Sequence, residues 1–123
     1  TLGRERKSMV MKPEAKKKTA YHETGHAMMA HLLPDADPVH KVTIISRGMA
    51  LGVTWTMPEE DQYSISKSKF LDEICVALGG YAAEEIVFGE HETGVSNDLK
   101  QATGKARAMA TRYGMAPNRS EER

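Results

Sequence analysis

The feature that most constrains this chain is a long stretch that lacks helix-breaking residues and is bounded by prolines. Pro13 opens the stretch, in keeping with the preference of proline for the first turn of a helix. Pro34 and Pro38 follow its end, and only Gly25 interrupts it. We therefore expect a first helix over residues 13–33.

Two further helices and a hairpin are predicted after this helix. Residues 39–45 are rich in β-branched side chains and residues 51–57 alternate apolar with polar ones, which predicts two short strands joined by a turn. Apolar residues recur at helical spacing over 66–88 and again over 96–113. The predicted fold is mainly α with a small β-hairpin sheet, an α+β arrangement.

Several individual residues in these helices allow more local predictions. Gly79 and Gly80 interrupt the second helix at a cost of about 1 kcal/mol each relative to alanine, so another backbone is expected to approach there. Ser96 or Asn97 is predicted to cap the third helix. Cys75 stands alone in an apolar stretch and is expected to be a buried free thiol.

Length and charge limit the function classes. The 123 residues predict one domain over 1–123, with a basic segment at 1–12 and a frayed end at 118–123. Seventeen Lys and Arg balance seventeen Asp and Glu, and no zinc-finger spacing or aromatic interleaving is present. The chain therefore gives no support for a nucleic-acid partner. No apolar run approaches the length of a membrane-spanning helix, which predicts a soluble module.

The chemistry of the chain concentrates in residues 22–26, which read H-E-T-G-H. On a helix, His22 and His26 project within about 40° of each other and about 6 Å apart along the axis, so both imidazoles can bind one ion. Glu23 is turned about 100° from His22 and can serve as a general base toward a water molecule. This H-E-x-x-H pattern predicts a zincin-type helix followed by two long helices.

A catalytic zinc ion usually has a third protein ligand. The metzincin spacing is excluded because Met29 and Leu32 stand where it requires glycine and histidine. His31 lies about 140° around the helix from His26 and faces away. Among the residues farther along the chain, Asp98 is favoured because it begins a helix after a glycine-containing loop. The candidates that remain open beside it are His40, Glu84, Glu85 and Glu92.

Several blocks in the same order carry a family resemblance. They are residues 19–27 around the H-E-x-x-H pattern, 41–48, 51–61, 79–85 (G-G-Y-A-A-E-E) and 93–99 (T-G-V-S-N-D-L). Together they resemble the peptidase domain of FtsH, the family of membrane-anchored, ATP-dependent zinc metalloproteases, over roughly residues 3–115. The resemblance implies that His22, His26 and Asp98 bind Zn²⁺ and that Glu23 is the catalytic general base.

The resemblance also carries expectations about a parent protein. It implies a zinc metalloendopeptidase that degrades unfolded or membrane proteins for quality control. In that parent, ATP is bound by an AAA+ module, the chains form a homo-hexamer, and a membrane anchor leaves the protease domain on the cytoplasmic, matrix or stromal side. Because this chain has no Walker A motif, and because the family's peptidase domain continues through further helices after the position of Met115, we expect an excised, C-terminally truncated fragment. The alternative is a catalytically inert zinc-binding or interaction fragment.

Overall fold

The computed structural model describes residues 12–43, 53–56 and 64–116, and it confirms a mainly helical fold. In chain order the elements are helix α1 (Pro13–Leu32), strands β1 (Val39–Thr43) and β2 (Val53–Thr56), helix α2 (Lys67–Phe88), a single 3₁₀ turn (Thr93–Val95) and helix α3 (Ser96–Thr111). The strands form the predicted antiparallel pair, with an irregularity between Val39 and Lys41. The predicted turn between them lies outside the described residues, as do residues 1–11 and 117–123.

The ends of α1 and α2 follow from local chemistry. Helix α1 stops at Leu32 because Leu33 precedes a proline and takes an extended conformation, while its N–H still bonds to Met29 O. Helix α2 is capped by the Ser66 hydroxyl, which accepts from the Lys69 N–H at 3.1 Å. Its other end is Gly89 in the left-handed region with φ of 76°, a conformation that glycine adopts without a steric penalty.

The start of α3 differs from the prediction. Neither Ser96 nor Asn97 caps it, because the 3₁₀ turn runs directly into the helix and makes Val95 the N-cap without a side-chain hydrogen bond. The Val95 residue is 3% exposed. Burial of this side chain therefore anchors the start of α3, in place of the polar cap that the sequence suggested.

Helices α1 and α2 cross in backbone contact through two glycines. A Cβ atom on Gly79 would lie 2.5 Å from Gly25 O, and one on Gly25 would meet Gly79 O closer still. A Cβ atom on Gly80 would lie 2.6 Å from the His22 ring. The backbone approach predicted at Gly79 and Gly80 is confirmed at Gly79, whereas Gly80 faces the side chain of His22. Both contacts bring α2 against the H-E-x-x-H face of α1.

The buried apolar side chains in the described part of the chain are Ala30, Val95, Ala102 and Met109. The prediction that Cys75 is buried is wrong, because this thiol is exposed. Two apolar residues of the same helix, Leu71 and Ile86, are also open to solvent, at 46% and 83% exposure. On α2, a residue whose neighbours in sequence are apolar is therefore not always buried in the fold.

Among the described residues, no helix combines the length and the apolar character needed to cross a lipid bilayer.

Candidate metal centre

Two histidines converge on one face of α1. His22 and His26 are one turn apart, and their Nε2 atoms lie 3.0 Å from each other, with the ring planes at 82°. Both rings are largely shielded from solvent, since their side chains are 13% and 10% exposed. The helical placement of the H-E-x-x-H pattern therefore produces the convergence that the spacing predicts.

Asp98 reaches the same point from the first turn of α3. Its Oδ2 atom lies 2.9 Å from His22 Nε2 and 3.1 Å from His26 Nε2. Although 76 residues separate Asp98 from His22 in sequence, the structure brings them together with His26. Within the described ranges, these three form the group of His, Cys, Asp and Glu residues suited to hold a metal ion.

The donor atoms have nearly the spacing that a tetrahedral ion requires. The two Nε2 atoms and the Asp98 oxygen form a triangle with edges of 2.9, 3.0 and 3.1 Å. Bonds of about 2.0–2.1 Å at tetrahedral angles place donors about 3.3 Å apart. A slight widening of the triangle would therefore fit Zn²⁺, and two imidazoles with a carboxylate are a donor set that zinc favours.

Hydrogen bonds on the far side of each ring fix which nitrogen faces this triangle. His26 Nδ1 lies 2.6 Å from Val76 O, and a carbonyl can only accept, so His26 Nδ1 is the donor. His22 Nδ1 lies 2.5 Å from Glu84 Oε2 and donates to that carboxylate. Each Nε2 is thereby left to act as a ligand, the arrangement by which metal-binding histidines are usually oriented.

Glu84, which the sequence left open as a third ligand, lies outside the triangle. Its side chain is only 5% exposed, and its second oxygen accepts the Glu92 N–H at 3.0 Å. The structure thus places Glu84 where it can orient the His22 ring, on the edge away from Asp98 and His26.

The remaining acids and histidines considered as ligands also lie elsewhere in the described part of the chain. Glu85 pairs with His91 at 2.6 Å and the Glu92 carboxylate pairs with Lys18 at 2.8 Å, both on the surface. His31 is exposed, in agreement with the expectation that it faces away. The side chain of His40 is outside the described residues.

Glu23 is a buried acid beside this cluster. It is 6% exposed and lies next to His22 on α1. Its negative charge is one of the influences that raise the pKa of His22. Glu23 therefore lies within electrostatic reach of the cluster.

The pKa values of the histidines and of the aspartate in the triangle shift in opposite directions. Burial opposes charge on His22, but hydrogen bonds to Asp98 and Glu84 outweigh it and raise the pKa of His22 to about 9. The pKa of His26 is raised against the same burial effect by Asp98 and Val76 O. Burial would raise the pKa of Asp98, yet its bonds to the two imidazoles lower it to about 2. The oxygen ligand is therefore ionised at neutral pH, and the imidazoles favour protons that a metal ion would displace.

Comparison with known proteins identifies the family. The sequence profile of peptidase family M41 matches residues 9–121, which is most of the chain. The chain belongs to peptidase family M41. Membership in this family agrees with the resemblance inferred from the sequence.

Curated relatives of the chain carry the name ATP-dependent zinc metalloprotease FtsH. The protein from Cupriavidus metallidurans is 58% identical over 115 residues, which are 94% of this chain and 18% of that protein. Those from Myxococcus xanthus and Thermobaculum terrenum are 54% and 56% identical, with the same shares covered. The chain thus spans about 18% of the length of these relatives.

Sequence reasoning missed two groups of the site, the orienting role of Glu84 and the carbonyl of Val76. A signal for the first was present. Gly80 admits the His22 ring, and Glu84 follows Gly80 by four residues, so both share one face of α2. The Val76 carbonyl carries no such signal, because any residue type supplies a backbone oxygen.

Proposed function

We propose that this chain is a zinc-dependent endopeptidase domain in which His22, His26 and Asp98 hold Zn²⁺ and Glu23 is the general base. The observation that carries the proposal is the triangle of two Nε2 atoms and one carboxylate oxygen, with both Nδ1 atoms engaged on the far side. Family membership supports the same interpretation, since M41 is a peptidase family.

The residues divide the chemistry of peptide hydrolysis between them. Zinc supplies Lewis acidity, which acidifies water and polarises the scissile carbonyl. Glu23 accepts a proton from the attacking water as the new C–O bond forms, and delivers it to the leaving amine as the C–N bond breaks. Asp98 contributes one negative charge and the imidazoles none, so a divalent ion keeps one unit of positive charge to stabilise the oxyanion.

The resemblance to FtsH extends this proposal to a parent protein. There, residues 1–123 would form a peptidase domain that receives unfolded or membrane polypeptides from an AAA+ module fuelled by ATP. The parent would be a membrane-anchored homo-hexamer with this domain on the cytoplasmic, matrix or stromal side. The names of the curated relatives support a zinc-dependent and ATP-dependent protease.

The ligand set is tested by metal binding to this chain. The unaltered chain should bind one zinc ion, measured by metal analysis and competition with a chromophoric chelator. Asp98→Ala should weaken binding at least about tenfold, because it removes the charged ligand. Asn97→Ala is the matched control, since Asn97 is its exposed neighbour in the same helical turn. Equal affinities for these two variants would show that the third ligand lies elsewhere.

The base is tested by Glu23→Gln, which keeps the size of the side chain and removes its proton acceptor. This domain can replace the matching part of the Cupriavidus metallidurans protein, to which it is 58% identical. Hydrolysis of a denatured substrate should then fall by about 10²–10⁴-fold, while zinc content stays near one per chain. Loss of zinc as complete as in His22→Ala would make Glu23 a ligand or orienter. Full activity would assign the base to another group.

A further inference from the structure

A short chain of polar contacts leaves α1 and returns to it at the metal centre. Lys18 Nζ pairs with Glu92 Oε1 at 2.8 Å. The backbone N–H of Glu92 donates to Glu84 Oε1 at 3.0 Å, and Glu84 Oε2 accepts from His22 Nδ1 at 2.5 Å. Because Lys18 and His22 are one turn apart on α1, these contacts and that turn of helix form a closed loop that ends at Nδ1 of His22.

The backbone that carries Glu92 is held at both ends of a four-residue connection, residues 89–92. Gly89 turns the chain out of α2 with φ of 76°, and its N–H is bonded to Glu85 O at 3.0 Å. Beyond the connection, the buried side chain of Val95 fixes the start of α3. Glu92 itself is extended, so its side chain and its N–H serve different partners, Lys18 and Glu84.

We propose that Lys18 and Glu92 are positioning residues for the metal centre, holding the Glu84 carboxylate and through it the ring of His22. This inference rests on the proposed role of His22 as a metal ligand. The carboxylate of Glu84 is nearly buried, so few other partners can replace the Glu92 N–H if connection 89–92 shifts. The rotation of the carboxylate would then be less restricted, and His22 Nε2 would be aimed less well at the ion.

A second ion pair serves as a control that distinguishes positioning of the metal centre from general stabilisation of the fold. Lys105 pairs with Glu73 at 3.0 Å and joins α3 to α2. The Lys105 side chain is 32% exposed, the same as Lys18. The hydrogen bond of this pair runs from Lys105 Nζ to Glu73 Oε1 and involves no atom of the metal centre. If pairing acts only by tying helices together, loss of either pair should affect the centre alike.

The main experiment measures zinc affinity and the visible absorption of the cobalt-substituted chain for Lys18→Met and Lys105→Met. Lys18→Met should weaken zinc binding about two- to fivefold, the effect of losing one exposed ion pair, and should alter the cobalt ligand-field bands. Lys105→Met should leave both unchanged. Exchanging the charges in Lys18→Glu with Glu92→Lys should restore most of the affinity, and so should Lys18→Arg.

A second pair of variants moves the backbone without removing a charge. Gly89 and Gly114 both have positive φ, 76° and 61°, and each has open space where a Cβ atom would stand. Gly89→Ala and Gly114→Ala should therefore strain the chain alike, but only the first displaces the Glu92 N–H. We expect weaker zinc binding in Gly89→Ala alone.

The outcomes distinguish this inference from the proposed function. Equal zinc affinities in Lys18→Met and Lys105→Met, or equal effects of the two glycine substitutions, would overturn the positioning role while Asp98→Ala still weakens binding. If Asp98→Ala and His22→Ala leave zinc binding intact, the proposed metal centre itself is wrong and the positioning role falls with it.

Discussion

The two helix crossings in the described part of the chain differ in what lies at their closest point. Helix α1 approaches α2 most closely where side chains are absent, at Gly25 and Gly79, and the rings of Tyr21 and Phe88 pack edge to face beside this approach. Helix α3 and the residues just after its end meet α2 through side chains: the ring centroids of Phe70 and Tyr113 are stacked 5.6 Å apart, and Lys105 pairs with an acid of α2. The first crossing therefore has one permitted spacing, whereas the second can be repacked around changed side chains.

This difference explains where the candidate metal centre lies. His22 and His26 come from α1, and both of their Nδ1 partners, Val76 O and Glu84, come from α2. The relative position of these two helices must be held within a few tenths of an ångström for the bonds to form. Asp98, which comes from the more adaptable α3, needs to supply only one oxygen.

The largest effect is expected from placing a methyl group in the tight crossing. Gly25→Ala would drive a Cβ atom into the carbonyl of Gly79, which cannot move aside without shifting α2. We expect a loss of about 3 kcal/mol in the free energy of unfolding, the upper end of the usual cost of overpacking, and loss of zinc binding. Chemical denaturation and chelator competition would measure both.

The matched control is a glycine at which an added Cβ atom would meet no other atom. Gly104 lies within α3 and has open space where a Cβ atom would stand. Gly104→Ala should therefore stabilise the chain by up to about 1 kcal/mol, through helix propensity, without changing zinc affinity. If Gly25→Ala is tolerated as well as Gly104→Ala, the α1–α2 spacing is not set by the glycine contact.

The next largest effect concerns the orienting acid on α2. Glu84→Gln keeps the volume of the side chain but removes the charge that His22 Nδ1 faces. Zinc affinity should fall about 10–100-fold, as is usual for partners that orient metal ligands. Glu85→Gln is its neighbour control, because the Glu85 side chain is 38% exposed and pairs with His91 away from the centre. Similar affinities in the two variants would contradict the orienting role.

The sequence predicted the helices and the convergence of the two imidazoles better than the contacts between elements. Periodicity and proline placed α1 and α2 to within a residue or two, and the H-E-x-x-H spacing placed two imidazoles on one face. Such features depend on residues close in sequence. Asp98 could be favoured from its place at a helix start, but its approach to His22 depends on how α3 packs, which local patterns do not specify.

The two wrong predictions, on Cys75 and on the cap of α3, have the same cause. Burial of Cys75 was inferred from apolar neighbours, yet exposure is decided by which face of α2 the other helices cover. The cap of α3 was assigned to polar residues, yet the buried side chain of Val95 determines where that helix begins. Both depend on tertiary packing, which overrides local preference.

A smaller effect is expected from pH, which should change zinc affinity through His22 on α1. Since the pKa of His22 is raised to about 9 without a metal ion, this ring holds a proton at neutral pH that must leave when Nε2 becomes a ligand. Zinc affinity should therefore rise with pH between about 6 and 8, by up to about tenfold per unit for one proton. Asp98, with a pKa of about 2, adds no proton in this range.

Calorimetry in buffers of different ionisation enthalpy measures the protons released. The stability of the metal-free chain should change in the opposite direction. A raised histidine pKa contributes stability that is complete below the unfolded value of 6.5 and is lost as pH rises toward about 9. Release of no proton at neutral pH would show that the imidazoles are already neutral.

The smallest effect is expected at the second crossing. Tyr113→Ala removes a ring that stacks on Phe70 but is 51% exposed, so little apolar area is lost. We expect a loss of about 1 kcal/mol in the free energy of unfolding, the scale of an aromatic pair, and unchanged zinc affinity. The affinity should hold because Ala102 and Met109 remain buried and keep α3, with Asp98 in its first turn, against α2. A fall in zinc affinity as large as that of Glu84→Gln would mean that the α2–α3 crossing is as strictly set as the α1–α2 crossing. The close glycine contact between α1 and α2 would then not explain why α1, and not α3, supplies the two histidines.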